Sequence, residues 1–169
     1  MRKSLDTLYD VSAWIAALFM IALLIMVLLS ILGRQFGFHV RGTDAYAGYM
    51  MAGAGFFALA HTLKRGEHIR VTLLLHALGP VMRKRMEIFS LASAVLLAGL
   101  LAWFSVSLCW QSYSIHDIST SNDATPLWIP QLSMALGALI LLIAFVDELV
   151  SECQGTRVRS GSDELLHNE

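Results

Sequence analysis

Four long stretches of this chain, 11–32, 45–63, 88–109 and 127–146, contain no Asp, Glu, Lys or Arg. Each has about the 20 residues that carry a helix across a hydrocarbon core of roughly 30 Å. Charge is scarce throughout. Only 15% of the 169 residues are charged, against roughly 25% in soluble domains. With 56% hydrophobic residues and a mean hydropathy of +0.62, the composition is that of a membrane protein. A proton-coupled exporter would want a carboxylate inside the bilayer, and none of the four stretches supplies one. A chain that spans four times and offers no polar pathway reads as the support of another protein.

Other absences narrow the chemistry. There are two cysteines, Cys109 near one end of the third stretch and Cys153 beyond the opposite end of the fourth. On a four-span topology they lie on opposite sides of the membrane, which excludes an intrachain disulfide or a Cys-based metal site. Of six histidines only His61 falls inside a span, near its end. A transmembrane haem needs facing imidazoles at similar depth. No nucleophile–base pair, phosphate-binding glycine loop or metal-ligand spacing is present. The chain is therefore expected to be no enzyme and to carry no cofactor or metal. The first apolar run is too long for a leader peptide and ends in Leu32-Gly33-Arg34-Gln35, without a small-x-small cleavage pattern. It reads as a retained helix.

The fold that follows is an all-α integral membrane protein with four transmembrane helices. Lipid offers no partners to backbone groups, so each span must satisfy its own hydrogen bonds. Of twelve Lys and Arg, only Arg34 and Arg41 lie between spans one and two, and none lies between three and four. The rest flank the termini and the middle loop, which places both termini and that loop in the cytoplasm. One membrane domain is expected over 1–155, with a disordered cytoplasmic tail over 156–169. Residues 1–10 read as a short lead-in.

Local patterns refine this. Thr43 is placed to cap the second helix, and Asp44 in its first turn complements the helix dipole. Ala45, Gly48, Ala52 and Gly55 recur at spacings of three and four. That small-residue face predicts close packing, within this chain or against another subunit. In the middle loop, Val71, Leu74, Leu75 and Leu78 follow a helical period, so 70–78 reads as a short amphipathic helix at the membrane interface. Gly79-Pro80 ends it, and Pro80 suits the first turn of the third helix. The Arg83-Lys84-Arg85 triplet anchors topology and meets lipid headgroups, not nucleic acid. Trp110 and Trp128 fit an aromatic belt around a polar outer loop, Gln111–Pro126. Arg34, Arg41 and Asp44 cluster at the same end, either as snorkelling arginines beside a capping carboxylate or as an ion pair.

The stretch from Arg34-Gln35-Phe36 through Thr43-Asp44 to Leu63-Lys64-Arg65-Gly66-Glu67-His68-Ile69-Arg70-Val71-Thr72 resembles the small membrane subunit of TRAP transporters, the DctQ type. In that family an arginine ends the first helix, an acidic residue begins the second, and a Gly-x-His-Ile-x-Val-Asp-Leu segment follows. Here Arg34, Asp44, Gly66, His68, Ile69 and Val71 match, Thr72 replaces the usual Asp, and Asp44 stands where Glu is common. Thr125-Pro126-Leu127-Trp128-Ile129-Pro130-Gln131 is similar to the family's start of the fourth helix.

The resemblance implies a tripartite importer in a bacterial cytoplasmic (inner) membrane. A periplasmic substrate-binding protein captures an organic acid, and a large multi-spanning TRAP membrane subunit carries it inward on a sodium gradient. The small subunit stiffens the large one. Arg41, Asp117, Asp123 and Trp128, in the outer connector and loop, are the candidate contacts for the binding protein. Two other readings stay open: a self-contained homodimeric transporter, and a haem-bearing anchor subunit.

Overall fold

The structure, a computed structural model, describes residues 2–38, 40–64, 80–121 and 123–154. Among these residues it is all-helical: α1 (Arg2–Phe36), α2 (Thr43–Lys64), α3 (Pro80–Ser114) and α4 (Trp128–Cys153). No strand occurs among them, only an isolated bridge between Ile118 and Pro126. The expected interfacial helix 70–78 and the tail 156–169 lie outside the described residues, as do Gly66, His68, Ile69 and Val71.

The helices outrun the apolar stretches that foretold them. Helix α1 has 35 residues, about 50 Å at ~1.5 Å per residue. Residues 2–10, expected as a lead-in, are helical, because Leu5 and Tyr9 find apolar partners on the neighbouring helices. Helix α3 begins at Pro80 as expected and runs through Ser114, so Gln111–Ser114 are helical and not part of the loop. Among the described residues, three helical segments are long and apolar enough to cross a membrane: Leu5–Phe36, Lys84–Ser114 and Trp128–Cys153. The chain is thus a multi-pass membrane protein. Helix α2 is less apolar than these, since it is built from Gly, Ala and Tyr where the others carry Leu, Ile and Val.

The helices form a row. Helix α1 packs on α2, α2 on α4, and α4 on α3. Small residues set the spacing. Gly53 of α2 faces the Phe19 ring of α1, where an added Cβ would come within 2.9 Å of it. Phe19 also stacks on Phe57 at 5.8 Å between ring centroids. Gly137 of α4 meets Phe56 of α2, and a Cβ there would sit 2.8 Å from the Phe56 carbonyl carbon. Leu91, Ala98, Ala102, Ser105 and Ser112 form the buried stripe of α3 at spacings of seven, four, three and seven. Outside the row, Trp14, Phe89 and Trp103 are each at least 70% exposed. Surface of that kind is stable only in lipid or against a partner.

Both ends of the row have distinct chemistry. The connector end carries the α1–α2 connector, 37–42, and the α3–α4 loop, 115–127. The terminus end carries the start of α1 and the finish of α4. At the connector end α1 stops because Gly37 turns into the left-handed region, φ +73°. The chain then folds back until the Phe38 carbonyl lies where a Cβ on Gly33 would be, 2.6 Å away.

Candidate functional site

The connector end is held by a hydroxyl–carboxylate network that joins α2 to the α3–α4 loop. Asp123, in the α3–α4 loop, accepts the Ser119 hydroxyl at 2.8 Å. The Tyr49 hydroxyl of α2 lies 3.1 Å from Asp123 Oδ2 and 3.1 Å from Ser119 Oγ. Its single proton goes to the carboxylate, the stronger acceptor. One turn away, the hydroxyls of Tyr46 and Thr125 are 3.0 Å apart. Burial alone would raise the Asp123 pKa, but hydrogen bonds from Thr125, Ser119, its own backbone N–H and Tyr49 outweigh it and hold the carboxyl below its ordinary value.

Backbone geometry makes this network possible. The Ser119 N–H donates to the Thr125 carbonyl at 2.9 Å, and the Leu127 N–H to the Asp117 carbonyl at 3.0 Å, so the loop closes on itself. His116 (φ 54°) and Ala124 (φ 48°) sit in the left-handed region near the two ends of the loop. Non-glycine residues there carry strain that only surrounding structure maintains. Gly42, at φ +79°, lets the connector approach Asp123, where a Cβ would come within 2.7 Å of the Asp123 Cβ. The Gly42 carbonyl also accepts the Tyr46 N–H at 3.0 Å. Gly42 thus occupies the cap position expected of Thr43, which is instead the buried first residue of α2.

The residues singled out from the sequence separate into groups. Arg34 and Arg41 are exposed at the connector end. Asp44 is exposed there too and accepts the Ser30 hydroxyl at 3.3 Å. Among the described residues no ion pair joins Asp44 to either arginine. Asp117 contributes to the loop through its backbone. Trp128 opens α4 and meets Tyr113 edge to face at 5.7 Å, with Tyr113 also stacked on His116 at 6.5 Å. Asp123 is committed to the internal network.

Gly48, Ala52 and Gly55 form a stripe that the described residues leave open. All three are exposed, and a Cβ added at Gly48 or Gly55 meets nothing within 4 Å. Among the described residues, the glycines in close contact with a neighbouring helix are Gly53 and Gly137. The two faces of α2 differ by rotation. One small stripe, 48–52–55, looks outward, while Gly53, Ala54, Phe57, Ala60 and Leu63 turn toward α1 and α4.

Sequence reasoning passed over Tyr46, Tyr49, Gly42, Gly53 and Gly137. The signal for the tyrosines was available, since a phenol within an otherwise apolar helix needs a partner for its O–H. Their loop partners, 70 or more residues away, had no local signature. The described surface combines a hydrogen-bonded polar cap at the connector end, an exposed small-residue stripe on an inner helix of the row, and broad apolar flanks.

No curated protein matches the chain. The family model for the DctQ component of tripartite ATP-independent periplasmic transporters matches residues 23–155. That span takes in the latter part of α1 from residue 23, all of α2–α4 and the whole connector end. The chain belongs to the DctQ component family of these transporters.

Proposed function

We propose that this protein is the non-catalytic scaffold subunit of a sodium-driven, binding-protein-dependent importer of organic acids, and that it binds and stiffens a large multi-spanning transport subunit. In this reading all four helices cross a bacterial inner membrane. The 22 residues of α2 make about 33 Å of helix, enough for a core of roughly 30 Å, and it lies between two more apolar spans. Both termini face the cytoplasm, in keeping with the concentration of Lys and Arg at the terminus end and in 65–85. The connector end faces the periplasm, and Arg41, Asp117 and Trp128 border the surface that meets the binding protein.

The observation that carries the proposal is the open face of α2. Gly48, Ala52 and Gly55 lie exposed on an inner helix of the row, with none of the described residues within 4 Å of a Cβ added at either glycine. A smooth stripe of that kind lets another helix approach closely in lipid, where packing and not hydrophobicity drives association. Family membership supplies the class of partner. Copurification is the test. With the large subunit tagged and both chains coexpressed, this protein should copurify in stoichiometric amount, and Gly55→Leu should reduce the yield. Recovery of the chain only as a homodimer, indifferent to the large subunit, would favour a self-contained transporter.

A further inference from the structure

At the terminus end, three helices meet around one cation. Lys64, in the last turn of α2, places Nζ 2.8 Å from Asp147 Oδ2 of α4. The same Nζ lies 5.6 Å from the centroid of the Tyr9 ring of α1. The pair is only partly wet, with side-chain exposures of 35% for Lys64 and 18% for Asp147. Tyr9 is 1% exposed and joins Ala60 and Leu63 of α2 and Leu141 and Ala144 of α4 in one apolar cluster. Its hydroxyl has no hydrogen-bond partner among the described residues. What Tyr9 contributes is therefore its ring, both as apolar bulk and as the face over which the ammonium sits.

This arrangement matters because of how α1 is otherwise held. Its principal packing is on α2 alone, centred on Phe19 against Gly53 and Phe57. Tyr9 is about 15 Å along the helix from Phe19, at ~1.5 Å per residue, and it carries α1 across to the α4 side of the row. A second tie, His61 Nδ1 to Asp10 Oδ1 at 3.8 Å, is longer, and its carboxylate is 71% exposed. Exposed pairs of that kind hold little. A partly buried lysine shared between a carboxylate and an aromatic face holds more, because removing one partner strands the other.

We infer that Tyr9, Lys64 and Asp147 form a clasp that locks the terminus end of α1 onto α2 and α4, with Phe19 against Gly53 as the pivot. When Lys64 leaves Asp147, α1 swings at the terminus end while the connector end stays closed. This inference concerns the chain's own conformations and stands apart from the proposed role in transport.

The test uses the full chain in lipid nanodiscs with paired spin labels. One pair joins native Cys153 to Val11→Cys in a Cys109→Ser background. A control pair at the connector end joins Gln35→Cys to Ile129→Cys with both native cysteines replaced. Lys64→Met and Asp147→Asn should each broaden the terminus-end distance distribution and shift it to longer values, and the double variant should be no broader than either. Tyr9→Phe should keep the native distribution, and Tyr9→Leu should lose it. The control pair should not move in any variant. A native distribution in both Lys64→Met and Asp147→Asn would overturn the clasp. So would equal broadening at both ends, which marks general loosening, and broadening in Tyr9→Phe would remove the ring from the mechanism.

Discussion

The Tyr49 hydroxyl donates to the Asp123 carboxylate at 3.1 Å, joining α2 to a loop 74 residues further along the chain. With Ser119 on the other carboxylate oxygen, at 2.8 Å, this contact sets the shape of the connector end. Its protonation behaviour is the first thing to test. The folded carboxyl is held below its ordinary value, so the stabilisation is present above the unfolded pKa of about 4 and is lost as pH falls through the lower folded pKa. Thermal unfolding in detergent should show a loss of stability on acidification that begins near the ordinary carboxylate pKa of about 4 and is complete only below the folded value. In Asp123→Asn that component should vanish. In Tyr49→Phe and Ser119→Ala, where the carboxyl moves back toward its ordinary value, the component should shrink. An acid profile identical in all four proteins would show that the network contributes nothing.

Glycine and alanine at neighbouring strained positions should respond oppositely. Gly42→Ala puts a Cβ into both the left-handed region and the Asp123 side chain, and should lower stability by roughly 1–2 kcal/mol or more. Ala124→Gly removes a left-handed alanine at φ 48° and should raise stability by up to about 1 kcal/mol. Reversible unfolding of the purified variants in detergent reads both signs.

Two kinds of glycine on one bundle should also separate. Gly137→Ala drives a methyl group into the Phe56 backbone and should cost on the order of 1–3 kcal/mol in the isolated chain. Gly48→Ala and Gly55→Leu add their Cβ more than 4 Å from any neighbour among the described residues and should stay within about 0.5 kcal/mol of the parent. Their effect should appear only in the yield of complex with the large subunit. A destabilised Gly55→Leu monomer would mean that the face is occupied within the chain.

Much of the architecture was legible because lipid imposes a simple rule. An uncharged run of about 20 residues has one stable form there, so 11–32, 88–109 and 127–146 marked the cores of α1, α3 and α4. Pro80 marked the start of α3 for an equally local reason, its fixed φ and missing N–H. What sequence could not resolve was rotation and partner choice. Gly48-x-x-x-Ala52 and Gly53-x-x-x-Phe57 overlap on one helix, and spacing alone could not say which stripe turns inward. The Phe19 ring decides it. The Thr43 hydroxyl looked like a cap, but Gly42 alone tolerates both the left-handed turn and the contact with Asp123. The pairing of Asp147 with Lys64 across 83 residues depends on the order of helices in the row, which has no local signature.

The proposed role stands on the chain lacking a transport pathway of its own and lending its surface to a partner. Solute flux in proteoliposomes tests that most directly, with vesicles holding this protein alone, the large subunit alone, or both, each supplied with loaded binding protein and an inward sodium gradient. The expected result is uptake when both subunits are present and none with this protein alone. Accumulation of solute by vesicles that hold only this protein would contradict it.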